Sequence, residues 1–297
     1  MKVFNPAELK KLYKPHLDSS GEDNGQITII GGSKLFHGAP LLSLKVASRI
    51  VDMVFFSSTE PSVGDLANRI KENLMSFIWV PWEDLESYIK KSDAVLIGPG
   101  FMRFGSEKTP EGERGHENHI EGKVTREITE SLLDKFPDKK WVIDAGSLQT
   151  MDAEWIPEKA VLTPNRKEFE LLFGKELELK VQSLDFKNEK LTSNLQYLTS
   201  KYKCTIVLKG PETIVCSPEE CVLVKGGNPG MTKGGTGDTL AGLTVALLAK
   251  NDPFLAAVSA SYLVKKAADE LYERVGTNYN ADDLADKIPE TLHKLLK

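Results

Sequence analysis

Apolar residues along this chain alternate between two rhythms. Short, mostly apolar runs occupy Gln26–Ile30, Met53–Phe56, Ser76–Val80, Ala94–Ile97, Trp141–Ile143 and Val161–Leu162. Three more follow at Thr205–Leu208, Thr213–Cys216 and Cys221–Val224. They predict short strands, with the all-apolar Met53–Phe56 expected to be buried on both faces and Ala94–Ile97 likewise buried. Between and after them, apolar residues recur at helical spacing. That spacing predicts helices from Gly38 to about Val51, Val63–Glu72, Trp82–Lys90 and Val124–Phe136. Further helices are expected from Thr163–Glu168 to Phe173, then over Phe186–Tyr202, Gly237–Lys250, Pro253–Arg274 and Ala281–Leu296. Strands alternating with helices make a mostly parallel sheet between helix layers, an α/β fold. No 20–50-residue repeat and no linker divides the chain, so one domain is expected over 1–297. Residues 1–25 form an N-terminal extension with a short helix at Pro6–Tyr13 and then a polar loop. Phe101–Gly122 is polar after Phe104 and is expected to be a mobile insertion at a strand end. Its His116-Glu-Asn-His119 lacks the i, i+4 histidine spacing of a zinc site and is read as solvated loop.

One stretch breaks the pattern: Asn228-Pro-Gly-Met-Thr-Lys-Gly-Gly-Thr-Gly-Asp-Thr-Leu-Ala-Gly242. Glycines crowd its first half and an apolar helix follows, so a flexible loop feeds a buried helix. The first turn of such a helix offers unpaired backbone N–H groups at the positive end of its dipole, an anion site. Gly235, Thr236 and Gly237 are the expected anion hole, and Asp238 beside it is the expected proton acceptor. The competing reading is that Thr236 or Asp238 merely caps the helix.

Polar and glycine clusters recur at other strand ends: Gly31–Ala39, Gly98–Gly100, Asp144–Ser147, Thr163–Glu168 and Lys209–Thr213. In open α/β sheets that edge binds ligands. Asn165 and Glu168 stand one turn apart at a helix start, so Glu168 can hold magnesium through water. The alternative is a capping box. Lys209 ends a buried strand and can reach a phosphate, with Pro211, Glu212 and Thr213 lining a ribose or base. Here the alternative is a plain hairpin turn. Gly100 and Ala39 give backbone room rather than reactivity. Lys34, His37 and Arg103 flank these loops as further phosphate candidates or as surface charges, and Lys233, next to the anion hole, is the better phosphate candidate. No P-loop, no nucleophile elbow and no Rossmann glycine fingerprint occurs.

The net charge of −5 and pI near 5.7 give no basic footprint, so nucleic acid is not the expected partner. No apolar run reaches membrane-spanning length, and Met1–Gly25 has no secretory h-region, so the cytoplasm is expected. Cys204, Cys216 and Cys221 are read as small core residues in a reducing compartment. Cys216 and Cys221 can face each other across a hairpin, but no disulfide is expected there.

These pieces, in this order, resemble the ADP/ATP-dependent NAD(P)H-hydrate dehydratases, a branch of the ribokinase-like superfamily. The matching residues are Gly31-Gly-Ser33 with Gly38-Ala-Pro40, Gly98-Pro-Gly100, Asp144-Ala145, Thr163-Pro-Asn165-x-x-Glu168, Lys209-Gly210, and Asn228-Pro-Gly-Met231 with Gly234-Gly-Thr-Gly-Asp-Thr-Leu-Ala-Gly242. The resemblance implies a three-layer α/β/α fold and repair of NADHX and NADPHX, nicotinamide cofactors carrying an added water. ADP or ATP, with Mg2+, drives loss of that water. It implies hydrate contacts at Ala39, Gly100, Asn165 and Asp238, and nucleotide contacts at Lys209, Gly210, Pro211, Glu212, Thr213 and Gly237. It also implies a homo-oligomer and a separate epimerase partner, the chain being too short for the epimerase domain that many members carry. Phe101-Met-Arg103 departs from the family's usual Leu-Gly after Gly-Pro-Gly. Two other readings compete: a ribokinase-like kinase of a vitamin precursor such as hydroxymethylpyrimidine or hydroxyethylthiazole, and a non-catalytic nucleotide-binding regulator.

Overall fold

The computed structural model describes residues 1–70, 74–104, 116–177 and 189–297. Its elements in chain order are β1 (Lys2–Val3), β2 (Gln26–Ile30), α1 (Gly38–Ala47), β3 (Met53–Ser57), α2 (Pro61–Ile70), β4 (Ile78–Trp79), α3 (Leu85–Lys91) and β5 (Ala94–Ile97). Then come α4 (His116–Lys135), β6 (Lys140–Ile143), α5 (Ala145–Thr150), β7 (Val161–Leu162), α6 (Arg166–Leu177) and α7 (Glu189–Tyr202). Last are β8 (Thr205–Leu208), β9 (Thr213–Cys216), β10 (Cys221–Val224), α8 (Thr236–Lys250), α9 (Pro253–Val275) and α10 (Ala281–Leu296). Among the described residues the strands form one sheet in the order β1-β10-β9-β8-β7-β6-β5-β2-β3-β4. Only β9 runs antiparallel to its neighbours.

Strand alternation divides the core into two layers. In β5, Ala94 and Leu96 join a cluster with Leu44 of α1, Leu243 of α8, Leu263 of α9 and Leu284 of α10. Val95 and Ile97 face the other way, toward Ile89 of α3, Leu133 of α4, Phe169 of α6 and Leu195 of α7. Each layer is closed by helices, which is why the strands read as continuous apolar runs. α8 is buried from Thr239 to Ala249 and lies at the centre of the first layer. The carboxyl ends of β2, β5, β6, β7 and β8 therefore face the start of α8.

The structure corrects several expectations. The extension 1–25 is part of the fold: β1 pairs with β10, and a 3-10 helix at Pro6–Lys11 leads Leu9 and Leu12 into the core. α1 ends at Ala47 rather than Val51, and β4 shrinks to two residues. Trp82–Asp84 is a 3-10 turn ahead of α3. Within the strand-end cluster Asp144–Ser147, Asp144 is the N-cap residue of the short helix α5, to which no expected helix corresponds. Residues 116–122, expected as insertion, belong to α4, which continues the 124–136 helix backward. The remainder of that insertion, 105–115, lies outside the described residues, as do 71–72 and 186–188 of two expected helices.

Cys216 and Cys221 are not free. They stand opposite each other in the β9–β10 register and form a disulfide, with Cα atoms 4.1 Å apart. The four-residue turn between them aligns the two Cβ atoms on one side of the hairpin. Only Cys204 keeps the expected character of a buried thiol.

Candidate active site

α8 begins without a side-chain cap. Its N-cap is Gly235, at φ +93, a left-handed conformation that costs glycine nothing. The Thr236 hydroxyl points backward and donates to the carbonyls of Met231 (2.8 Å) and Lys233 (3.0 Å). Neither Thr236 nor Asp238 caps the helix, so its first-turn N–H groups remain directed at the front of the site.

Lys209 stands before that helix start. A Cβ placed on Gly237 would lie 3.5 Å from its ammonium nitrogen. Nζ donates to Asp144 Oδ1 at 2.8 Å and lies 3.7 Å from Glu168 Oε2. Burial pulls the ammonium down, but Asp144, Glu168 and Asp238 more than offset that and hold its pKa above the ordinary value. Thr163 also donates to Asp144 Oδ1, at 2.7 Å. One cation thus serves three acids at the ends of three elements.

Asp238 is the acid left least compensated. Burial first, and then the charge of Asp144, push its carboxyl up to about 7, with Lys209 opposing. Burial likewise raises Glu168 against Lys209. Asn165 and Glu168 form the capping box: Asn165 Oδ1 accepts from Glu168 N (3.0 Å), and Glu168 Oε2 accepts from Asn165 N (2.8 Å). Asn165 also bridges to Lys209 in parallel register.

The remaining candidates close the ring. The Ser43 hydroxyl on α1 donates to the Asp238 carbonyl at 2.7 Å and approaches the Ala39 carbonyl at 3.5 Å. That contact puts the start of α1 beside the start of α8. A Cβ on Gly100 would fall 2.1 Å from the Phe36 carbonyl oxygen and 3.0 Å from Pro40, so Gly100 joins from the β5 side. Ala39, Gly100, Asn165, Lys209 and Asp238 are therefore one continuous neighbourhood. Arg103 reaches it through Gln149, which in turn donates to Glu168. Lys34 and His37 are exposed, and His37 is the N-cap residue of α1. Lys233 turns away: its ammonium donates to the carbonyls of Thr277 and Tyr279.

A cavity of about 610 Å3 opens on one side of this neighbourhood, a volume usual for a small-molecule site. Lys209, Gly210, Pro211, Thr213 and Gly237 line it; Glu212 does not. Sequence reasoning missed Lys265 of α9, which lines the same cavity and is 4% exposed. The signal was present in Val264-Lys-Lys-Ala-Ala-Asp269, a lysine and an aspartate four apart among buried alanines.

Among the described residues no group of three or more His, Cys, Asp or Glu side chains is arranged to hold a metal. The carboxylates of Asp144 and Glu168 are hard oxygen donors already shared with Lys209. That donor set fits a magnesium carried mainly by phosphate and water, not one caged by protein.

A mostly parallel sheet covered on both faces, with an uncapped helix start beside its carboxyl edge, is a fold shared with ribokinase-like proteins. A ribokinase-like superfamily protein of Enterococcus faecalis superposes with a TM-score of 0.77 at 22% identity, over 99% of this chain and 96% of that one. The ADP/ATP-dependent NAD(P)H-hydrate dehydratase of Bacillus subtilis superposes at 0.74 and 23% identity, over 99% and 98%. Within that class, the chain belongs to the NAD(P)H-hydrate dehydratase family, whose sequence model matches residues 27–290. It is 32% identical over 295 residues to the bifunctional NAD(P)H-hydrate repair enzyme of Methanocaldococcus jannaschii, covering 96% of this chain and 51% of that protein. The chain spans about half the length of the first such relatives it matches. It is also 28% identical to the ADP-dependent (S)-NAD(P)H-hydrate dehydratase of Cenarchaeum symbiosum, over 93% of this chain and 91% of that one.

Proposed function

We propose that the protein is a lyase that restores NADH and NADPH from NADHX and NADPHX at the expense of ADP or ATP. The observation that carries this reading is Asp238, whose carboxyl is pushed up to about 7 by burial and Asp144 and which follows directly on Thr236 and Gly237, the first-turn residues of α8 that line the nucleotide-sized cavity. Asp238 takes the proton of the ring hydroxyl as its oxygen attacks the terminal phosphorus of the nucleotide. The phosphorus–oxygen bond to the leaving AMP or ADP breaks. The N–H groups of Gly235, Thr236 and Gly237 hold the phosphoryl oxygens while charge develops. The phosphorylated hydrate then loses phosphate from one ring carbon and a proton, released to solvent, from the next, and the C–H electron pair becomes the ring double bond. With ADP the balance is hydrate plus ADP giving reduced nicotinamide, AMP and phosphate.

Ala39, Gly100 and Asn165 bound the hydrate pocket next to Asp238. Lys209, Gly210, Pro211, Glu212 and Thr213 carry the nucleotide, Glu212 from outside the cavity wall. Glu168 would hold a magnesium ion through water, and that ion would neutralise charge on the nucleotide phosphates. The relatives' names support the use of adenine nucleotide and of the hydrate. They also specify one epimer, so a separate epimerase activity supplies the reactive form. Exposed Leu35, Phe36, Phe104 and Ile120 around the hydrate loops support self-association into a homo-oligomer. Among the described residues no helix is long and apolar enough to cross a membrane, which supports a cytoplasmic location. The Cys216–Cys221 bond weighs the other way, because strongly reducing compartments disfavour disulfides.

The test is to mix the protein with NADH hydrate, ADP or ATP and magnesium, and to follow the absorbance of reduced nicotinamide. Nucleotide-dependent recovery is expected. No recovery, with a stable phosphorylated vitamin precursor formed instead, overturns the reading in favour of a small-molecule kinase.

A further inference from the structure

α9 carries a charged pair that no step of the proposed reaction uses. Lys265 and Asp269 stand one helical turn apart, and Lys265 lines the cavity while almost wholly buried. An ammonium has three N–H bonds, and three carbonyls meet this one: Gly210 at 3.4 Å, Pro211 at 2.8 Å and Gly226 at 2.9 Å. Gly210 and Pro211 belong to the turn from β8 to β9, and Gly226 to the segment leaving β10. Asp269 takes the donors of that same segment, the Gly227 N–H at 3.1 Å and Asn228 Nδ2 at 3.0 Å. The pair therefore grips one segment by both its acceptors and its donors, and ties it to the opposite turn.

Burying an ammonium is costly unless every donor is used. Here every donor is used on backbone, so none is left for a phosphate. A side chain in that position does not read the ligand; it sets the distance between two walls. Both walls line the cavity, through Gly210 and Pro211 on one side and Gly227 and Asn228 on the other.

We infer that Lys265 is a positioning residue for the adenine nucleotide, holding the Gly210–Pro211 turn and the Gly226–Gly227 segment at the separation the cavity needs. This rests on reading that cavity as the nucleotide site.

The test compares Lys265→Met, which keeps length and loses charge, with Lys265→Arg, which keeps a cation. ADP is titrated by calorimetry without the hydrate, and steady-state kinetics are measured alongside. For Lys265→Met the ADP Kd and KM should rise about tenfold or more, with kcat and the hydrate KM changed by less than about threefold. Lys265→Arg should recover most of the loss. A folded Lys265→Met protein that binds ADP as tightly as wild type overturns the inference, as does a fall confined to kcat. If Lys265→Met does not fold, Asp269→Asn carries the test. Its ADP Kd should rise by at least about threefold, and an unchanged value overturns the clamp. Wild-type protein that binds no ADP overturns both the clamp and the nucleotide site. Wild-type protein that binds ADP without dehydrating the hydrate overturns the proposed reaction alone, and the calorimetric comparison still decides the clamp.

Discussion

Asp238 holds its proton up to about 7, against an ordinary value of 3.8, because it is partly buried and faces the charge of Asp144. Two consequences separate its chemistry from its cost. If it is the base, kcat/KM should rise with pH along a limb centred near 7, since only the carboxylate can accept the hydroxyl proton. For stability the sign runs the other way. Between about pH 4 and pH 7 the folded state binds this proton and the unfolded state does not, so stability falls as pH rises through that window. Asp238→Asn removes the charge but keeps the shape. It should lose at least about a thousandfold in turnover, keep its nucleotide affinity, and melt higher than wild type at pH 8. Melting curves from pH 4 to 8 for both proteins check this. Wild-type turnover in the variant rejects the assigned base, and a lower melting temperature rejects the electrostatic account.

Among the elements, the crossing of α1 and α8 fixes the site. A Cβ on Gly242 would fall 2.5 Å from both the Cα and the carbonyl oxygen of Ser43, so the two helices touch backbone to backbone. Ser43 also binds the Asp238 carbonyl, so the same contact sets the spacing of Ala39 from Asp238. Gly242→Ala should therefore cost about 1–3 kcal/mol through overpacking. It should also raise the hydrate KM more than the nucleotide KM, because Lys209 and Gly237 lie on the other side of α8's start. Denaturant titration and two-substrate kinetics read both effects; stability within about 0.5 kcal/mol of wild type would show that α1 can shift freely. The sequence made α8 itself legible, glycines first and then an apolar helix. It also bounded β8, β9 and β10 correctly, because turn residues punctuate them on both sides. It did not reveal which helix Gly242 meets. It gave Asn165 and Glu168 as either cap or metal group; the structure shows the capping hydrogen bonds, and a water-bridged metal at Glu168 belongs to the proposed function. Lys209 and Asp144 were visible as separate strand-end clusters, but their ion pair joins residues 65 apart, and local periodicity does not encode such pairings. Lys265 showed only in its four-residue spacing from Asp269; what it binds was hidden for the same reason, because its partners lie on loops 39 to 55 residues away.

Across the whole molecule, the sheet carries its chemistry at one edge and its covalent staple at the other. Cys216 and Cys221 pair at the ends of β9 and β10 remote from Thr213 and Val224, the paired residues nearest the cavity. The remaining cysteine, Cys204, cannot confuse a redox experiment, because burial pushes its thiol up to about 12 and leaves it inert near neutral pH. Reduction therefore acts on one bond. Its two cysteines are only five residues apart, so the loop it closes is short and the chain-entropy contribution is about 2 kcal/mol. For a chain of this size that corresponds to a melting shift of about 3–6 °C. Excess thiol reductant should lower the melting temperature of wild type by that amount and leave Cys216→Ser unchanged. The nucleotide KM should stay the same in both, since the hairpin is held at its cavity end by the β8–β9–β10 ladder and by the Lys265 contacts rather than by sulfur. A change in KM on reduction would mean that the staple's influence runs the full length of the hairpin, and that the edge of the sheet is coupled to the site.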